Sequence, residues 1–210
     1  MNNFKYMNKL FDTFKIVIGG EPEVGKSNLQ FECIEINKSK KYITTHHGAD
    51  FQIKFVKIGE KLYKLIIWDI QNFHSIFDIP PGKFHQWHRD THGVILMYDI
   101  TNENSFKSIR EWCKYFDRNM PYKPCKVLVG NKCDKSNRVI TEEEGMVVAS
   151  DFNMKFFETS AENNKNINEV FECILQECIK AKNDGTFNIK HKVENITKKE
   201  EPKNDSCNII

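Results

Sequence analysis

Gly20-Glu21-Pro22-Glu23-Val24-Gly25-Lys26-Ser27 fits the pattern G-x-x-x-x-G-K-[ST] and follows the apolar run Phe14 to Ile18, which reads as a buried strand. A strand that turns through such a loop into a helix gathers backbone N–H groups and a helix N-terminus around one point. That makes a ready cradle for the phosphates of a nucleoside triphosphate. Lys26 is placed to reach the β- and γ-phosphates, and the Ser27 hydroxyl to ligate Mg²⁺. The middle of the loop is unusual. Pro22 has no N–H to donate, and Glu23 brings a carboxylate and a Cβ into a turn that suits small residues.

Working outward, apolar runs recur at Phe14–Ile18, Phe51–Ile58, Leu62–Trp68, Val94–Tyr98, Lys126–Val129 and Phe156–Phe157, mostly separated by segments of helical spacing. The short Ile58-Gly59-Glu60 link suits a hairpin, and the longer intervals suit crossovers carrying helices such as Ser105–Met120 and Asn166–Ala181. Phe106, Ile109, Trp112, Cys113 and Phe116 read as the core face of the first of these helices. The pattern predicts an α/β, doubly wound fold. Its sheet is six-stranded and mostly parallel, with one antiparallel edge strand and helices on both faces. Ligands of such a sheet collect beyond the carboxyl ends of its strands.

The chain has 210 residues, enough for one domain with an appendage, and 40% of them are apolar. Basic and acidic side chains number 31 and 29, so the net charge of +2 argues against nucleic acid as a partner. Seven cysteines form no C-x-x-C pair and fit no closed disulfide framework, which points to a reducing compartment. Neither a signal peptide nor a run of about 20 apolar residues is evident. Residues 1–12 read as an N-terminal extension and 13–181 as the domain. Residues 182–210, rich in Lys, Glu, Asn and Asp, read as a flexible tail. The last four, Cys207-Asn208-Ile209-Ile210, fit the prenylation pattern, with Cys207 as the acceptor.

Three further motifs fall at strand ends. Trp68-Asp69 closes one apolar run and sets a carboxylate where Asp69 can hold Mg²⁺ directly or through water. Asn131-Lys132-Cys133-Asp134 follows another. The Asp134 carboxylate can accept from the N1–H and exocyclic amine of guanine, which adenine cannot match; Asn131 braces the loop, and the Lys132 stem packs over the base. Thr159-Ser160-Ala161 is placed to give backbone donors to the guanine O6. This set disfavours an ATPase. A kinase acting on a small molecule is disfavoured by the same set and by the absence of an evident lid segment.

These motifs, with Gly48-Ala49-Asp50-Phe51, Lys64 to Asp69 and Gly93 to Asp99, make the chain resemble a small GTPase of the Ras superfamily, Rab branch, over about Phe14 to Lys180. The resemblance implies Mg²⁺ with GTP or GDP, and two nucleotide-sensing switch segments. It also implies effector, exchange and GTPase-activating proteins. The nucleotide-binding set it implies is Gly20, Glu21, Pro22, Glu23, Val24, Gly25, Lys26, Ser27, Asp69, Asn131, Lys132, Asp134, Ser160 and Ala161. The metal set is Ser27, Thr45 and Asp69. Thr45 follows from counting forward from the loop, whereas counting backward from Asp50-Phe51 lands on His46. The aromatic that normally stacks on guanine aligns near Lys38.

The second switch departs most from the family. Where the family carries Thr-Ala-Gly-Gln, this chain has Ile70-Gln71-Asn72-Phe73. Its water-positioning Gln is thus replaced by Phe73, which leaves Gln71 as the candidate for that role. Slow hydrolysis is the expectation, with a hydrolysis-deficient scaffold as the alternative. Pro80-Pro81-Gly82 breaks the helix usual in Ile76 to His92; were that segment helical, His85, His88 and His92 would share a face, as a metal candidate, although solvated or partner-facing histidines are the ordinary outcome. The tail from Ala181 onward holds six lysines against five acids, so one prenyl chain gets little electrostatic help and a GDI-type or escort carrier is implied. The expected location is the cytoplasmic face of a membrane, lipid-anchored.

Overall fold

The apolar runs assemble into one sheet, ordered β2-β3-β4-β1-β5-β6-β7, in a computed structural model that describes residues 11–35, 42–44, 49–70, 89–120 and 122–187. The strands are β1 (Asp12–Gly19), β2 (Tyr42–Thr44), β3 (Ala49–Ile58), β4 (Lys61–Ile70), β5 (Thr91–Asp99), β6 (Cys125–Asn131) and β7 (Lys155–Glu158). β1 runs parallel to β4 and β5, and the parallel pairing continues through β6 to β7. β3 is antiparallel to β4 across a two-residue turn, Gly59-Glu60, in which Gly59 has a φ of 60°. The expected six strands with one antiparallel member are all present. The three-residue β2 pairs outside β3, so the antiparallel strand is not the outermost.

Alternation along the central strands feeds two cores. Phe14, Ile16 and Ile18 of β1 face α1 (Lys26–Glu35) and α5 (Ile167–Asn183), where Leu29, Phe171 and Ile174 are fully buried. Val94, Leu96 and Tyr98 of β5 face α3 (Ile109–Asn119) and α4 (Glu142–Asp151). Ile109, Trp112, Cys113 and Phe116 are buried as their spacing predicts, and Phe106 packs at a tilt against Tyr98 with centroids 4.8 Å apart. Strands covered on both faces need apolar residues at successive positions, hence the continuous runs in the sequence.

Three local expectations change. The single helix Ser105–Met120 is two, α2 (Glu103–Lys107) and α3. Asn102 caps the first by accepting from the Asn104 and Ser105 N–H groups. The Ser108 hydroxyl donates to the Ser105 carbonyl at 2.9 Å where the first helix gives way to the second. The last helix also runs two residues past its expected end at Ala181. Helix α5 reaches Asn183, Lys182 Nζ donates to Asp12 at 2.6 Å, and Phe187 packs edge-on to His92 at 5.0 Å. Finally, His92 lies in β5, not on a helix, and its Nδ1 accepts from the Lys15 N–H at 3.1 Å. That use of its nitrogen removes it from the metal candidate; His85 and His88 lie outside the described residues, among which no cluster suited to a metal occurs.

Candidate functional site

Parallel register brings the loop after β1 to the end of β4, because Ile18 pairs with Asp69. The Ser27 hydroxyl donates to Asp69 Oδ2 at 2.6 Å, and Asp69 is wholly buried. Gly20 adopts a φ of 141° and Gly25 a φ of 98°. A Cβ at Gly20 would lie 2.3 Å from the Met97 carbonyl oxygen, and one at Gly25 would lie 2.3 Å from Asn131 Nδ2. Both positions therefore require glycine, for close approach as much as for dihedral freedom. Between them Glu23 sits in the left-handed region at 63°, a strained conformation for a residue with a Cβ.

Lys26, the first residue of α1, is 8% exposed. Its ammonium donates to the carbonyls of Gly20 and Glu21 at 2.9 and 2.8 Å, which holds the charge across the loop it closes. Burial lowers its pKa from the ordinary lysine value, while the Asp69 and Glu21 carboxylates oppose that shift. Glu21 Oε1 accepts from the Trp112 indole N–H at 3.2 Å, tying the first half of the loop to α3.

The loop after β6 is joined to this one by a single side chain. Asn131 Nδ2 donates to the Val24 carbonyl at 2.8 Å, and its Oδ1 accepts from the Thr159 hydroxyl at 3.0 Å, so one buried amide connects three segments. Lys132, at a φ of 65°, pairs with Asp99 Oδ2 at 2.7 Å. Burial pushes the Asp99 carboxyl up, but Lys132 and the Thr101 N–H and hydroxyl together hold it below its ordinary value. The Asp134 carboxyl is also held low, chiefly by a hydrogen bond from the Ser160 side chain. Gly25, Asn131, Lys132, Asp134 and Ala161 border one cavity of about 260 Å³. The Ser160 N–H donates to the Lys165 carbonyl at 3.3 Å; of the two residues expected to face guanine O6, Ala161 borders the cavity and Ser160 steadies Asp134.

Two contributors, Asp99 and Trp112, carry no site role in the sequence, and Thr159, expected to face guanine, instead gives its hydroxyl to Asn131. Asp99 closes the apolar run of β5 just as Asp69 closes that of β4, and the same reasoning about strand ends would have found it. Thr159 and Trp112 act through partners 28 and 91 residues away, for which no local signal exists. Thr45, Gln71 with Asn72 and Phe73, Lys38, His46 and Cys207 lie outside the described residues.

A glycine-bounded phosphate-type loop linked through Asn131 to a carboxylate-bearing purine-type pocket defines the guanine-nucleotide class of P-loop proteins. A sequence model described as the Ras family matches residues 15–180. The chain is 38% identical over 175 residues to Ras-related protein Rab-3 of Caenorhabditis elegans, covering 83% of this chain and 75% of that one. Ras-related protein SEC4 of Saccharomyces cerevisiae is 36% identical over 164 residues, with 78% and 74% covered. Ras-related protein RABE1e of Arabidopsis thaliana is 35% identical over 165 residues, with 78% and 73% covered. The chain belongs to the Ras family of small GTPases, in its Rab branch. Members bind GTP or GDP with Mg²⁺ and hydrolyse GTP. The donor set fits Mg²⁺: the Ser27 hydroxyl and the Asp69 carboxylate, adjacent at the loop's mouth, are the hard oxygen ligands this ion takes.

Proposed function

We propose that this chain is a membrane-anchored guanine-nucleotide switch of vesicle trafficking that holds its nucleotide firmly and hydrolyses GTP slowly. The observation that carries the reading is the Asn131 bridge, which makes phosphate-side and base-side loops one unit. On the phosphate side, loop amides and the Lys26 ammonium face the β- and γ-oxygens, and Ser27 and Asp69 hold Mg²⁺, which when bound offsets phosphate charge. Thr45 is the proposed third metal ligand. On the base side, Asp134 accepts from guanine N1–H and its amine, the Lys132 stem covers the base, and the Ala161 N–H donates to O6.

Slow hydrolysis is supported by two departures. Pro22 removes a donor from the loop, and the residues after Ile70 offer no Gln in the family's position to orient the attacking water, leaving only Gln71 nearby. Membrane attachment is proposed through prenylated Cys207, assisted by a GDI-type or escort carrier because the tail's charge is nearly balanced. Effector, exchange and GTPase-activating proteins complete the partner set. Half-buried Phe51, stacked on Trp68 with centroids 5.0 Å apart, supplies an aromatic surface suited to one of them.

Two measurements test the proposal: identification of the copurifying nucleotide, and single-turnover hydrolysis of bound GTP with and without lysate as a source of activating protein. Bound guanine nucleotide with slow, lysate-accelerated hydrolysis is the expected result. Absence of bound nucleotide would sink it. A second reading, a scaffold locked with GTP, is favoured by the strained Glu23 beside Pro22; GTP that stays intact even with lysate would select it.

A further inference from the structure

Two cysteines with no part in the nucleotide site meet at the opposite end of the sheet. Cys125 is the first residue of β6, and the β5–β6 register sets it beside Gly93. A Cβ on Gly93 would lie 3.0 Å from Cys178 Sγ, so the sulfur from α5 rests on that glycine, next to Cys125. Gly93 is what makes room for it. The strand register and the Gly93 contact set the two sulfurs side by side in one packed cluster.

Their surroundings are unequal. Cys178 is fully buried on the inner face of α5. Cys125 is partly exposed and lines a cavity of about 670 Å³ together with Lys126 and Glu177. The hydrogen bond from Cys178 holds the Cys125 thiol below its ordinary value against the opposing effect of burial. Cys178 is raised by the same bond and by burial. Burial raises every other described cysteine as well, Cys33 to about 11 and Cys113 to about 12. Of the two, Cys125 is the one that solvent reaches, through that cavity, and so the one open to an oxidant.

We propose that Cys125 and Cys178 form a reversible peroxide-sensitive thiol pair, Cys125 as the attacking thiol and Cys178 as the resolving one. The Cys125 thiolate attacks one oxygen of hydrogen peroxide and the O–O bond breaks. This leaves a sulfenic acid on Cys125 and a hydroxide that takes up a proton to become water. The Cys178 sulfur, surrendering its proton, then attacks the Cys125 sulfur; the S–O bond breaks and the hydroxyl leaves as a second water. Overall, two thiols are oxidised to one disulfide and one peroxide is reduced to two waters. The bond staples α5, whose last turn leads into the tail, to the start of β6. A closed link of that kind is expected to stabilise the fold. Transient pairs of this sort are the usual form of disulfide in a reducing compartment.

The test treats the full nucleotide-bound chain with hydrogen peroxide and follows intact mass, cross-linked peptides and melting temperature. The expected result is loss of two hydrogen masses, a peptide pair joined through Cys125 and Cys178, and a higher melting temperature, all reversed by dithiothreitol. Cys125→Ser abolishes the link. Cys178→Ala leaves a sulfenic acid on Cys125 that a dimedone probe traps. Sulfenic acid accumulating on Cys125 of the unaltered chain without a link, a link through Cys133, Cys173 or Cys207 instead, or oxidation elsewhere with Cys125 untouched would each overturn the proposal. Because the link forms in the unaltered chain, a variant that fails to fold does not remove the test.

Discussion

At the base end of the cleft Asn131 is held from two directions and the polar side chains beside it are paired, whereas at the phosphate end the loop bends through a residue ill-suited to its dihedral angle. Asn131 spans Val24 and Thr159, Lys132 meets Asp99, and Ser160 supports Asp134. In the loop, Glu21, Val24, Lys26 and Ser27 each have a partner, and the misfit is confined to the middle. Glu23 sits at a φ of 63° beside a proline that lacks an N–H. On the proposed reading, holding a nucleotide and turning it over are carried by different residues, so substitutions at the two ends should separate affinity from hydrolysis.

The largest effect expected on the base side comes from Asp134→Ala. It removes two charge-assisted acceptors for guanine, worth together about 3–4 kcal/mol, and weakens GDP affinity by on the order of 10²–10³-fold in equilibrium titration. Adenine nucleotide affinity should not fall in parallel; a parallel fall would show that Asp134 does not read the base. Next, Asn131→Ala leaves the buried Val24 carbonyl and Thr159 hydroxyl without that partner, at a cost of about 2 kcal/mol. It should lower both nucleotide affinity and melting temperature. If only one of them falls, the two loops are not a single unit.

How much of this could be read from the chain depends on how local the signal is. The loop Gly20–Ser27, the strand-end carboxylates Asp69 and Asp134, and the six apolar runs all declare themselves within a few residues of sequence. So does the hairpin at Gly59. The pairings that fix the site do not: Trp112 reaches Glu21 across 91 residues and Asn131 reaches Val24 across 107, contacts that only the sheet register creates. The break at Ser108 was hidden for another reason. An apolar spacing that continues across two helices conceals a hydroxyl competing for the backbone between them.

Smaller effects are expected at the phosphate end. Pro22→Gly restores a loop donor and should raise the single-turnover hydrolysis rate by less than about tenfold, because the missing water-positioning Gln remains missing. A rise of orders of magnitude would put the whole defect in the loop. Glu23→Gly relieves the left-handed strain and should stabilise the fold by about 1 kcal/mol, or about 2–4 °C in melting temperature, with base affinity unchanged. No gain would mean that the loop tolerates this residue without cost.

Acidity separates the nucleotide end of the sheet from the far end. Asp99 and Asp134 are both held below the ordinary carboxylate value of 3.8, so they stay ionised between about pH 7.5 and about pH 5.5 and guanine affinity should be flat there. His92 behaves oppositely. Burial lowers its pKa from 6.5, with Lys182 and Lys15 adding to the effect and Asp90 opposing it, and its Nδ1 is committed as an acceptor from the Lys15 N–H. The unfolded chain therefore binds more protons than the folded one below about pH 6.5. The stability that depends on neutral His92 is present above that value and lost as the pH falls towards the lowered value. Melting temperature should drop across that interval while nucleotide affinity holds, and His92→Phe should flatten the drop. A pH-dependent affinity that survives His92→Phe would place a titrating group inside the cleft, and the comparison between its two ends would have to be redrawn around it.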